Sequence, residues 1–187
     1  MAQPSALNFS EMNLLWRSFV YLTMTVAGLV LSHNASAQQR PPQPDNQPLE
    51  AVEYRTSIYA ADADANQEIR EALKLATAEK KRVLLVFGAN WCYDCHVLDR
   101  ALHEDPAGKI VRESFLLVHV DIGEGEKNAE LTRTYRIPVE KGVPAVAVLN
   151  SDGKLLYSSG EGEFESARTM FKKDLVAFLN HWKNKRQ

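Results

Sequence analysis

Apolar residues follow two rhythms along this chain, and the places where one gives way to the other mark its elements. Across 66–81, Ile69, Ala72, Leu73 and Ala76 recur at i, i+3, i+4 and i+7 among Glu and Lys, which predicts an amphipathic helix with one packed face. The run Val83-Leu84-Leu85-Val86-Phe87 is then apolar without a break, as in a strand covered on both faces. A short helical face follows at Cys95, Val97, Leu98, Ala101 and Leu102. Residues 116–120 (LLVHV) and 145–149 (AVAVL) repeat the strand signature. The second leads through the turn Asn150-Ser151-Asp152-Gly153 into a more polar strand over 154–158. Residues 163–182 align Ala167, Phe171, Leu175, Phe178 and Trp182 along one stripe, predicting a single closing helix, and 54–60 reads as an added edge strand. Helices alternating with buried strands describe an α/β sandwich, a mixed central sheet flanked by helices.

The N-terminal pattern differs. Residues 18–31 (SFVYLTMTVAGLVL) carry no charge, follow Arg17 and precede Ala35-Ser36-Ala37, the layout of a secretory signal with an A-x-A cleavage site. The run is shorter than the roughly 18–20 residues of a spanning helix, so an uncleaved membrane anchor is the alternative. Cleavage would leave Gln38 first. The following QQRPPQPDNQP, with Pro41, Pro42, Pro44 and Pro48, reads as an extended tether. The expected organisation is a signal peptide at 1–37, a Pro-rich linker at 38–49 and one domain at 50–187, long enough to bury about two thirds of its surface.

Composition adds exclusions. The 187 residues are 45% apolar and 25% charged, a globular balance. Lys and Arg total 22 against 24 Asp and Glu, a net charge of −2, so no basic field exists to hold nucleic acid.

Only two cysteines occur, Cys92 and Cys95, too few for a disulfide framework in an exported protein. They lie just past the strand at 83–87 and open a helix, whose free N–H groups and positive dipole end favour a thiolate at Cys92. Lowering a thiol pKa from about 8.5 toward about 7 raises its thiolate share at neutral pH from a few per cent to near half. Cys95, one turn on, could then resolve a mixed disulfide formed by Cys92. The pair is open to rival chemistries as well. An inert disulfide across so short a loop constrains little of the unfolded chain. A zinc site would have to recruit His96, His103 and His119, at no paired-finger spacing. A c-type haem is the sharpest rival, because Cys92-Tyr93-Asp94-Cys95-His96 satisfies C-x-x-C-H, although Met170 is the one methionine past the cleavage site to offer a second axial ligand.

The string VLLVFGANWCYDC, followed by Gly142-Val143-Pro144 and AVAVLNSDGKLL, resembles the thioredoxin superfamily from about Glu68 to Trp182. The resemblance implies Trp91 as the tryptophan before the pair, Cys92 as an exposed nucleophile and Cys95 as the resolving thiol. It also implies that Pro144 is the cis proline facing them, in preference to Pro138, with Val143 pairing to an extended substrate segment as in strand addition. Several positions depart from the family pattern. Its buried acid falls at Val86, which cannot ionise; Tyr93 and Asp94 replace the small and proline residues between the cysteines; His96 stands where Lys is frequent; and the 135–144 loop is longer than in the shortest members.

The expected function is that of an exported thiol-disulfide oxidoreductase, in the periplasm or outside the cell, with the Cys92–Cys95 pair itself as redox centre and no metal or organic cofactor. Its partners would be protein thiols and disulfides together with an upstream redox protein, with no nucleic acid, and a membrane only if the N-terminal segment stays uncleaved. The resemblance implies reduction or isomerisation rather than oxidation, since the chain lacks room for the large helical insertion that dedicated oxidases of the superfamily carry. The alternative class is an electron-carrying or binding module, with haem on C-x-x-C-H or a thioredoxin-like domain that clasps a partner without turnover. Asp94 and a protonated His96 are expected to tune the site with opposite signs, the carboxylate disfavouring a negative Cys92 and the imidazolium favouring it, unless both point to water. His119 reads as a satisfied core histidine and His103 and His181 as surface residues. Glu124, Glu126, Glu130 and the 161–165 run read as solvated charges.

Overall fold

The computed structural model describes residues 46–53 and 57–183; the expected signal segment and most of the tether lie outside them. The architecture is built around β1 (Arg82–Gly88), whose residues from Val83 onward are all buried. It pairs in parallel with β2 (Phe115–Asp121), in a register from Arg82↔Phe115 to Gly88↔Asp121. On its other side β1 pairs antiparallel with β3 (Ala145–Leu149), which pairs antiparallel with β4 (Leu155–Ser158), so the sheet order is β2-β1-β3-β4. This is a mixed four-stranded sheet.

Alternation along β1 and β3 sends side chains to two cores. Val83, Leu85 and Phe87 meet Ala145, Ala147 and Leu149 beneath α1 (Ala65–Glu79), which contributes Ile69, Ala72 and Ala76. Leu84, Val86, Val146 and Val148 face the other way, toward α2 (Tyr93–His103), α3 (Ala107–Ser114) and α5 (Lys172–Trp182), meeting Val97, Leu98, Val111, Leu175 and Leu179. Helix α4 (Ala129–Thr134) adds Leu131 to the first core. Helix α1 starts where Asp64 accepts the Gln67 N–H at 3.0 Å and stops at Lys80, left-handed at φ 56°.

Three expectations need correction. The single closing helix does not start at 163: a short 3-10 turn (Ala167–Thr169) is followed by extended backbone at Met170 and Phe171, and α5 begins at Lys172. The interruption has a cause. The Leu49 N–H donates to Met170 O at 2.8 Å and the Lys172 N–H to Gln47 O at 2.8 Å, so residues 47–49 lie strand-like against 170–172. The same bonds correct the linker boundary, because Leu49 is buried in the second core. Of the expected edge strand at 54–60, residues 54–56 fall outside the described ones and 57–60 form no strand. Asn90 holds that stretch as a loop instead, its Oδ1 accepting the Ile58 and Tyr59 N–H groups, both at 3.0 Å. Among the described residues no helix is long and apolar enough to cross a membrane.

Candidate active site

The site forms where β1 ends and α2 begins. Cys92 is itself the N-cap of α2: its backbone is extended and its Sγ accepts the Cys95 N–H at 3.2 Å, in the place a serine or aspartate oxygen usually fills. The sulfur therefore lies at the positive end of the helix dipole. Both cysteines are thiols. They are not equivalent. Hydrogen bonding from the Cys95 thiol, aided by the Cys95 N–H, holds Cys92 below the usual thiol range, against burial and the Asp94 charge. Burial, followed by the hydrogen bond to Cys92 and its charge, pushes the Cys95 thiol far up. Cys92 is less open than an exposed nucleophile should be, 6% accessible against 0% for Cys95, because the Val143 carbonyl covers it and accepts its S–H at 3.2 Å. The degree of exposure differs from the expectation.

The surrounding residues come from four segments. The Val143–Pro144 peptide is cis and enters β3 directly against Cys92, whereas Pro138 is not preceded by a cis bond. Trp91 flanks the pair with half its surface open, and its indole N–H donates to Gly123 O at 2.8 Å. Asp94 is 6% exposed and does not point to water: both carboxylate oxygens take the Arg168 Nε at 3.0 Å, and Oδ1 also accepts the Arg168 backbone N–H at 2.8 Å. Burial raises the Asp94 pKa, and the Arg168 hydrogen bonds and charge outweigh it, leaving the carboxyl below its ordinary range. The Arg168 guanidinium also lies over the Tyr93 ring, 5.1 Å from its centroid.

His96 is also buried rather than solvated, and its Nε2 donates to Asn90 O at 2.9 Å. His119 is part-buried, its Nε2 2.9 Å from Asp99 Oδ1. Among the described residues no set of three or more His, Cys, Asp and Glu is placed to hold a metal ion.

Sequence reasoning missed Arg168, Asn90 and Tyr59. Arg168 is 74 positions from its partner, in a stretch read as mid-helix. Asn90, next to Trp91, ties the loop before α1 to the end of β1: besides its two accepted bonds, its Nδ2 donates to Ser57 Oγ at 3.0 Å and Tyr59 O at 2.7 Å. Its place between a buried strand and the cysteines was the available signal. Tyr59 is fully buried against Cys95, and a methyl group added to Gly88 would lie 2.3 Å from its hydroxyl oxygen and 2.5 Å from the Cys95 sulfur.

The thioredoxin-like family profile matches residues 64–151, from the α1 cap to the turn after β3. The crystal structure of a disulphide isomerase from Xylella fastidiosa is 37% identical and superposes with a TM-score of 0.64, covering 67% of this chain and 96% of that one. The chain belongs to the thioredoxin-like family. Among curated relatives, thiol:disulfide interchange protein DsbD of Pseudomonas fluorescens is 31% identical over 139 residues, 70% of this chain and 21% of that protein. DsbD 2 of Pseudomonas aeruginosa is 27% identical over 122 residues, 64% of this chain and 19% of that protein. This thioredoxin-like chain thus spans about a fifth of the length of the curated relatives it matches.

Proposed function

We propose that the protein is a thiol-disulfide oxidoreductase in which Cys92 attacks, or receives, a protein disulfide and Cys95 resolves the mixed disulfide. The observation that carries this reading is the asymmetry of the pair. One sulfur caps a helix, is held below the ordinary thiol range and retains some access; the other is enclosed and pushed up. A nucleophile needs the first environment and a resolving thiol tolerates the second, since it must not compete for substrate. Trp91 and the cis Val143–Pro144 peptide frame the sulfur. Val143 offers its backbone to an extended substrate segment, which would displace the Cys92 S–H from the carbonyl as the thiolate forms. The relatives named for disulfide interchange and isomerisation support the same chemistry. The redox centre is the cysteine pair alone, with protein thiols and an upstream dithiol donor as partners.

Purified protein supplied with dithiol should reduce a disulfide substrate. Cys92→Ser should abolish turnover, and Cys95→Ser should trap mixed disulfides, because Cys92 still attacks but is not displaced from within. Equal turnover by wild type and Cys92→Ser would overturn the reading. For direction, we favour reduction or isomerisation, supported by the absence of a helical insertion between β2 and β3 beyond α4 and a short 3-10 turn. A reduction potential near that of thioredoxin, about −270 mV, fits; one near the roughly −120 mV of the strongest dithiol oxidants contradicts it. Export to the periplasm or beyond is supported by the apolar run at 18–31 and Ala35-Ser36-Ala37. Sequencing of the exported protein should then begin at Gln38.

A further inference from the structure

Position 86, where the thioredoxin pattern has a buried acid, holds a fully buried valine, so β1 supplies no carboxylate to the Cys95 thiol. What the fold places beside that thiol is a phenol. Tyr59 is 1% exposed and Cys95 0%. The contact is built rather than incidental. Asn90 grips the Tyr59 backbone through its N–H and its carbonyl, and the ring packs edge-on against His119 with centroids 5.4 Å apart. Gly88 leaves open the space into which Tyr59 Oη and Cys95 Sγ both project, 2.3 and 2.5 Å from where a side chain would begin. Among the described residues Tyr59 Oη makes no hydrogen bond while Cys95 is a thiol. A buried hydroxyl without an acceptor is unfavourable, and the acceptor beside it is sulfur, weak as a thiol and strong as a thiolate.

We propose that the Tyr59 hydroxyl donates a hydrogen bond to Cys95 Sγ whenever that sulfur carries negative charge, and so sets the rate of the resolving step; the proposal rests on the exchange reading above. Tyr59 acts as a donor and not as a base, since burial, with the charges of Cys95 and Cys92, holds its phenol well above the ordinary range and keeps its proton in place. The same bond works against the burial that pushes Cys95 up. In the resolving step Cys95 Sγ attacks Cys92 Sγ of the mixed disulfide. The Cys92–Cys95 bond forms, the bond from Cys92 to the substrate sulfur breaks, and that sulfur leaves with the electron pair and takes up the proton that Cys95 lost. The dithiol is oxidised by two electrons and the substrate disulfide is reduced. In reverse, Cys95 is the leaving thiolate and the same donor stabilises it.

Single-turnover kinetics of Tyr59→Phe separate the two steps. Attack by Cys92, read as mixed-disulfide formation, should stay within about twofold of wild type, while release of the second substrate thiol should slow by about tenfold, the scale of one hydrogen bond to a charged group. An unchanged second step overturns the proposal, as does an equal slowing of both steps, which would mark a packing role. Should Tyr59→Phe fail to fold, 3-fluorotyrosine incorporated at position 59 decides, because a more acidic phenol is a stronger donor. The second step should then quicken, and indifference to fluorination overturns the proposal. Wild-type exchange that survives Cys92→Ser would instead overturn the exchange reading itself.

Discussion

Cys92 ionises between two opposed charges. The Asp94 carboxylate raises its pKa, as the sequence suggested, but Asp94 is one half of an ion pair whose other half, Arg168, also feels the Cys92 charge. Asp94→Asn should therefore lower the Cys92 pKa, leaving Arg168 unopposed, and Arg168→Gln should raise it; the double variant should fall between them. Thiolate absorbance against pH in the four proteins checks this, and shifts of equal sign in the two single variants would refute it. The pair also makes a stability prediction. The folded-state pKa of Asp94 is depressed, so its contribution is present above the unfolded value of about 3.9 and is lost as the pH falls through the folded one. The difference in urea midpoint between wild type and Asp94→Asn should be full near about pH 6 and close on acidification; a difference independent of pH would mean that the pair contributes nothing through charge.

Between β1 and α2 the chain reverses use, from a strand that only packs to a helix end that only reacts, and Asn90 is the residue that ties this junction to the 57–59 loop. Asn90→Ala should destabilise the protein by about 1–3 kcal/mol, the cost of leaving buried backbone groups unpaired, and should speed hydrogen exchange at the Ile58 and Tyr59 amides, whose acceptor it removes. Unchanged exchange there would show that the loop holds itself. At this scale the sequence was legible wherever one periodicity ran unbroken. The strands at 83–87, 116–120 and 145–149 extend by at most a residue at either end, because buried apolar runs have no alternative use. The closing helix was overextended because its stripe runs through Met170 and Phe171, and nothing local reveals that residues 47–49 compete for that backbone. The cysteines, Trp91 and the Val143–Pro144 turn were readable as a string. Arg168, Asn90 and Tyr59 were missed, since each acts across a sequence separation of 31 residues or more; of the three only Asn90, set between a buried strand and the cysteines, carried a local signal.

For the molecule as a whole, the two-core sandwich fixes the α2 N-terminus against the cis Val143–Pro144 turn, and that juxtaposition makes the two cysteines unlike each other. The strands and helices of the described residues serve one asymmetry, a sulfur poised to react and a sulfur withheld. Alkylation of the reduced protein near neutral pH, with the modified site located by mass spectrometry, tests that claim most directly. Cys92 should be modified first, and Cys95 should stay protected until the protein is unfolded. Modification of Cys95 first, or of both at one rate, would contradict it.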